Sequence, residues 1–287
     1  MFKRHHRSEL VSLLVILFLF GAGPCYADEE DGLVPLPDFR AEAEQWIADS
    51  CYEQYISDRL AEFADDFPKM FEFVGEDRAR LFIAMSMVKG RYYNLFAERE
   101  ISSLYIMMFD LGSEFDSDPL YPWARFPVFP DKDYTEDNPE SWQYMQKIWG
   151  EFSEFSRESN GEYYQLALRA LRRTEKMRFN EVSMLDDDGT VDLLEQLFPE
   201  RFKLVPVEAL RGPIMENAAR KAEEYGMPTQ TAKNLFTAIF FACGNYADEN
   251  PLYEPLFEGL KEMSARGLNK ERELFKRLKK FLKIVGR

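Results

Sequence analysis

Histidine is nearly absent from this chain of 287 residues: there are two, His5 and His6, both in the first few positions. From residue 28 onward there is no imidazole. That excludes histidine-ligated zinc, serine or cysteine nucleophiles activated by histidine, and histidine acid/base chemistry. Alternating strand patterns are scarce, and no segment beyond the N-terminal one is long and apolar enough to cross a bilayer, which takes about 20 residues. Basic charge is in deficit, with 36 Lys and Arg against 51 Asp and Glu and a net charge of -15. Such a body repels phosphate backbones, so nucleic acid is not an expected partner and a basic protein is. What is present, 46% hydrophobic and 30% charged residues, is enough for a folded core.

Residues 1–27 have the three-part layout of a secretory signal. A basic patch (Lys3, Arg4, His5, His6, Arg7) precedes an apolar run over 10–22, and Pro24-Cys25-Tyr26-Ala27 ends the segment before Asp28. The run is shorter than a membrane span, so cleavage after Ala27 is expected and the protein is expected in the periplasm. Residues 28–287 would then form a single domain carrying two cysteines, Cys51 and Cys243. In an oxidising compartment these two either bridge or stay buried as free thiols, and spacing alone does not choose.

The rest reads as all-α. Apolar residues recur at three- and four-residue steps, as in Trp46, Cys51, Tyr55, Ile56 and Leu60, and again in Leu166, Leu168, Leu171 and Met177. Helix breakers cluster at 119–139, 186–189, Pro206 and Gly212-Pro213. An internal echo organises the chain. Tyr93, Phe109, Gly112, Asp116, Pro119, Leu120 and Tyr121 recur at a constant offset of 132 as Tyr225, Phe241, Gly244, Asp248, Pro251, Leu252 and Tyr253. Upstream, Phe67-Pro68 and Val74 match Phe198-Pro199 and Val205 at an offset of 131. The expectation is a helical, bundle-like domain built from two related modules, about 66–123 and 197–255. A helical insert at about 140–180 and a basic C-terminal helix at 269–287 complete it. In each module Gly112 or Gly244 stands as the cap of a helix, and Pro119 or Pro251 stops the helix from resuming.

Three constellations bear on chemistry. Asp186, Asp188 and Glu195 fall at calcium-loop spacing around Gly189, but Met184 occupies the first ligand position, where an oxygen is needed. The competing reading of this turn is a helix N-terminus capped by acids. Acidic, aromatic loops at 114–123 and 131–140 offer carboxylates beside Tyr121, Trp123 and Tyr134, as a glycan hydrolase requires, though no spacing singles out a pair. The last helix sets Lys270, Arg272, Lys276, Arg277, Lys279, Lys280, Lys283 and Arg287 around an apolar stripe that either docks on the core or lies on an anionic membrane. No cofactor is expected.

The run Phe109-Asp110-Leu111-Gly112-Ser113-Glu114-Phe115-Asp116-Ser117-Asp118-Pro119-Leu120-Tyr121-Pro122-Trp123, with Lys221-Ala222-Glu223-Glu224-Tyr225-Gly226 ahead of its second copy, resembles a motif of poorly characterised bacterial helical proteins encoded near type VI secretion and other contact-dependent toxin systems. The first copy departs from it with Asn94 in place of Gly226, and the second lacks the tryptophan. The resemblance implies a non-enzymatic immunity protein that neutralises a periplasm-delivered toxin by occlusion. Expected contacts are Glu114, Asp116, Asp118, Tyr121 and Trp123 in the first module and Asp248, Glu249 and Tyr253 in the second. The competing classes are a carboxylate-dependent cell-wall glycan hydrolase and a calcium-stabilised scaffold.

Overall fold

In the computed structural model, residues 37–47, 52–95, 97–126, 139–160, 177–263 and 267–285 are described. The expected signal segment, Cys25, Cys51, Tyr134 and the apolar series Leu166, Leu168 and Leu171 lie outside them. Among the described residues every regular element is helical. In chain order these are α1 (Phe39–Ile47), α2 (Glu53–Asp66), α3 (Pro68–Val74), α4 (Glu76–Tyr92) and α5 (Glu98–Leu111), then a 3-10 turn (Pro122–Ala124) and α6 (Pro139–Asn160). There follow α7 (Phe179–Ser183), α8 (Asp187–Leu197), α9 (Pro199–Leu204), α10 (Val207–Ala209), a π turn (Leu210–Ile214), α11 (Met215–Glu224), α12 (Gln230–Cys243), α13 (Glu254–Phe257) and α14 (Gly267–Val285). No helix among the described residues is long and apolar enough to cross a membrane.

The fold is built around α4 and α12, the two helices with apolar residues on nearly every face. A helix of that composition has no stripe to give to water and must be surrounded. In α4 the whole run Leu81, Phe82, Ile83, Ala84, Met85, Ser86, Met87, Val88 is buried, and α12 buries Phe236, Ile239, Phe240 and Phe241. Helices α1, α2 and α5 pack on α4, while α11, α8 and α14 pack on α12. Aromatic rings fill the seams: Phe67 lies against Phe109 with ring centres 4.8 Å apart, and Phe236 stacks on Phe257 at 5.5 Å.

The matching stretches adopt matching local conformations. Pro68 and Pro199 each open a helix behind Phe67 and Phe198, whose φ and ψ are -130° and 55°, and -131° and 54°. Helices α5 and α12 coincide residue for residue at the offset of 132. The N–H of Leu120 donates to Asp118 Oδ1 at 2.9 Å and that of Leu252 to Asn250 Oδ1 at 3.0 Å, one turn written with Asp in one place and Asn in the other. Asn94 and Gly226 both have positive φ, 55° and 70°, so the departure of Asn94 from the motif leaves the backbone unchanged.

The periodic series from Trp46 to Leu60 falls on α1 and α2, with residues 48–51 outside the described ones. One boundary differs from the expectation. Gly212-Pro213 was expected to break the chain, yet the helix continues through it as the π turn. Proline lacks an N–H and its ring crowds the preceding turn, and the wider turn accommodates both. The C-terminal helix docks by its apolar stripe: Leu274, Phe275, Leu278 and Phe281 are buried, with Phe281 against Phe73 and Tyr253.

Candidate functional site

The loops after α5 and α12 meet at their glycines. A Cβ on Gly112 would lie 2.8 Å from the Cys243 carbonyl oxygen, and one on Gly244 would lie 2.5 Å from that of Leu111. The φ and ψ values, 109° and 155° for Gly112 and 95° and 151° for Gly244, lie beyond the left-handed helical cap expected from the sequence, in a region open essentially to glycine alone. Two helix ends therefore abut backbone to backbone, and the acidic loops that follow are set side by side.

Each loop is tethered by a lysine from the preceding long helix. Lys89, on α4, has no exposed side-chain surface. Its Nζ donates to Ser113 O at 2.6 Å, Glu114 Oε2 at 3.0 Å and Asp116 Oδ1 at 2.6 Å, and it lies 4.8 Å from the centre of the Phe39 ring. The Tyr93 hydroxyl donates to the other oxygen of Asp116. Desolvation acts to lower the Lys89 pKa, but Asp116 and Glu114 outweigh it and the net direction is upward. Desolvation raises Glu114 against the pull of Lys89. In the second loop Lys221, on α11, pairs with Asp248 Oδ2 at 2.8 Å and Glu249 Oε1 at 2.5 Å. Asp248 Oδ1 has no hydrogen-bond partner, and burial pushes that carboxyl upward despite Lys221.

The two loops also bond to each other. Asp118 Oδ2 accepts the Asn245 N–H at 2.7 Å, and Asn217 Nδ2 donates to Asn245 O at 2.8 Å. Burial pushes the Asp118 carboxyl up to about 6 against the pull of these backbone N–H groups. Beside them Arg201 reaches the Tyr121 hydroxyl and the Ala242 carbonyl and lies over the Tyr121 and Phe241 rings.

The expected contact residues thus divide. Asp116, Asp118, Tyr121, Asp248 and Tyr253 are buried and hold the loops together. Glu114 and Trp123 are partly exposed, and Glu249 is the most open, its side chain 56% exposed. Of the residues that organise the loops, Lys89, Arg201 and Asn245 were not singled out from the sequence, and Lys221 entered only as part of the motif ahead of the second copy. A signal existed for the lysines: Lys89 and Lys221 stand at the same offset of 132, four residues before Tyr93 and Tyr225.

Of the two readings of the turn at 184–195, the structure has the capped helix. Asp186 caps α8, its Oδ1 accepting the Gly189 N–H at 2.8 Å, while Asp187 pairs with Lys233 at 2.7 Å and Asp188 with Arg211 at 2.5 Å. Glu195 is exposed and Met184 is 85% exposed. No group of three or more metal-ligating side chains forms among the described residues, because the acids are spread around a helix N-terminus rather than folded over one point. Replacing Asp186 by Ala should cost about 1 kcal/mol in urea unfolding, and the melting temperature of the natural chain should be the same in calcium and in chelator. Cys243 is a free, buried thiol pushed up to about 12 by burial.

Searches against protein-family models, curated proteins and solved structures find no match for this chain.

Proposed function

We propose that this chain is a protein-binding protein of the periplasm, the immunity partner of a basic toxin, and that it acts by occlusion rather than catalysis. The observation that carries the reading is the rigid pairing of two acidic loops. The Asp118–Asn245 hydrogen bond and the meeting of Gly112 with Gly244 put Glu114 and Glu249 on adjoining loops. Because Lys89, Lys221 and the glycine contact fix the loops beforehand, little ordering remains to oppose binding. Glu114 and Glu249 supply steering toward a basic cleft, and Trp123 supplies a partly exposed aromatic anchor. Both oxygens of Asp116 are taken by Lys89 and Tyr93, which favours binding over paired-acid chemistry of a glycan hydrolase at that carboxylate. The layout of residues 1–27 supports export, and the motif at 109–123 supports the toxin-locus assignment. On this reading the two modules are copies of one unit.

The test is titration of the chain with the product of the neighbouring reading frame. Charge reversal at Glu249 together with Glu114→Gln should weaken binding about tenfold or more, chiefly through slower association, and should flatten its dependence on salt. Unchanged affinity in that double variant would refute the assignment. So would muramidase turnover that a single carboxylate-to-amide change abolishes.

A further inference from the structure

The acidic balance of the chain is reversed at one place. Helix α14 carries seven basic and two acidic side chains, and its apolar stripe is already committed to the core. Of the two acids, Glu271 is fully buried, and Glu273 is occupied by Arg277 at 3.0 Å and by Lys276 at 3.6 Å. The outward face presents Arg272, Lys276, Lys280 and Lys283, all exposed. At 3.6 residues per turn these four fall within an arc of about 80° and a length of about 16 Å, a straight cationic row on one side of the helix. The Lys276 side chain is 79% exposed. Arg277 and Lys279 are only partly exposed and do not join the row, and within it Arg272 lies over the Phe179 ring. Arg277 turns to the Glu258 carbonyl, and Lys279 turns to the Met177 carbonyl and the Phe275 ring.

We infer that this row is a docking surface for an anionic lipid bilayer, on which α14 lies flat without inserting. Two features choose the occupant. The charge is complementary to a surface of anionic headgroups, and the row contains no exposed apolar side chain of the kind that anchors a protein partner. A fluid headgroup layer needs neither shape complementarity nor an anchor, only several cations within a Debye length of about 8 Å. A second copy of the chain is a poorer occupant, since the row would have to find one acidic patch of matching shape, whereas a headgroup layer offers phosphates at every point. The inference is independent of the function proposed for the acidic loops.

The test is cosedimentation of the full chain and of its R272E/K276E/K280E variant with vesicles of phosphatidylcholine alone or with about one third phosphatidylglycerol. The natural chain should bind the anionic vesicles more tightly than the neutral ones, and 0.5 M salt should remove the difference. Each neutralised cation is worth about fivefold, so the variant should lose the difference by a factor of a hundred or more. Residues 1–27 are common to both proteins, so the comparison isolates α14. Equal partition of chain and variant onto anionic vesicles would overturn the inference. So would low-salt self-association, seen in the ultracentrifuge without vesicles and lost in the variant, because that would assign the row to a second copy. Unchanged circular dichroism in the variant is expected, as all three side chains are on the surface.

Discussion

Gly244→Ala should be among the most damaging single-methyl additions in this protein, lowering unfolding stability by roughly 3–5 kcal/mol. Two costs add. The backbone at φ 95° and ψ 151° is nearly closed to any residue with a Cβ, which alone is worth about 1–3 kcal/mol. The methyl would also fall 2.5 Å from the Leu111 carbonyl oxygen and 3.0 Å from the Gly112 Cα. Both obstacles are main-chain atoms at the end of a buried helix, so relief requires moving α5 against α12. Gly75→Ala is the control. Gly75 has the same kind of backbone, φ 83° and ψ 158°, but nothing lies within 4 Å of the position its Cβ would take. It should cost only the backbone part. Urea midpoints of the two variants, read against the natural chain, separate strain from collision. If Gly244→Ala costs no more than Gly75→Ala, the two helix ends do not meet as described.

That contact also shows what the sequence makes legible. Gly112 and Gly244 were readable as helix caps, and their common offset marked them as equivalent. Nothing in either local pattern, however, says that two caps separated by 132 residues touch. Helix type was legible for the same reason that α12 is buried: Phe236, Ile239, Phe240 and Cys243 recur at helical steps with few charges between them. Helix ends were less so, as the π turn at Gly212-Pro213 illustrates, because a proline stops a helix only when the turn cannot widen around it. The acidic turn at Asp186 was readable both as a cap and as a calcium loop, and the choice depended on whether Glu195 folds back over it, a tertiary question. The loops at 114–123 were recognised as acidic and aromatic but read as outward-facing. Acids in a loop ordinarily are; Asp116 is drawn inside because a lysine is already there. That lysine is itself legible. Leu81 to Val88 is almost unbroken apolar sequence, and Lys89 closes it without leaving the buried helix, so an ammonium in that position requires anions brought to it.

The strength of that requirement sets the second large effect. Lys89→Met keeps the apolar length of the side chain and removes the charge, leaving Asp116 fully buried with only the Tyr93 hydroxyl as a partner. The expected loss is about 3–5 kcal/mol, the usual cost of stranding one member of a buried ion pair. Asp116→Leu in the same chain should restore part of the loss, because removing both charges of such a pair is often nearly neutral. The remainder then reports the Ser113 carbonyl and Glu114 that Lys89 also serves. Lys221→Met is the matched comparison. Glu249 is 56% exposed and can turn to water, so only Asp248, with its side chain 2% exposed, is stranded, and the loss should be smaller. Equal losses at the two lysines would mean that the first loop is held by its backbone contacts rather than by this ammonium. A double-mutant cycle over Lys89 and Asp116 decides between the two.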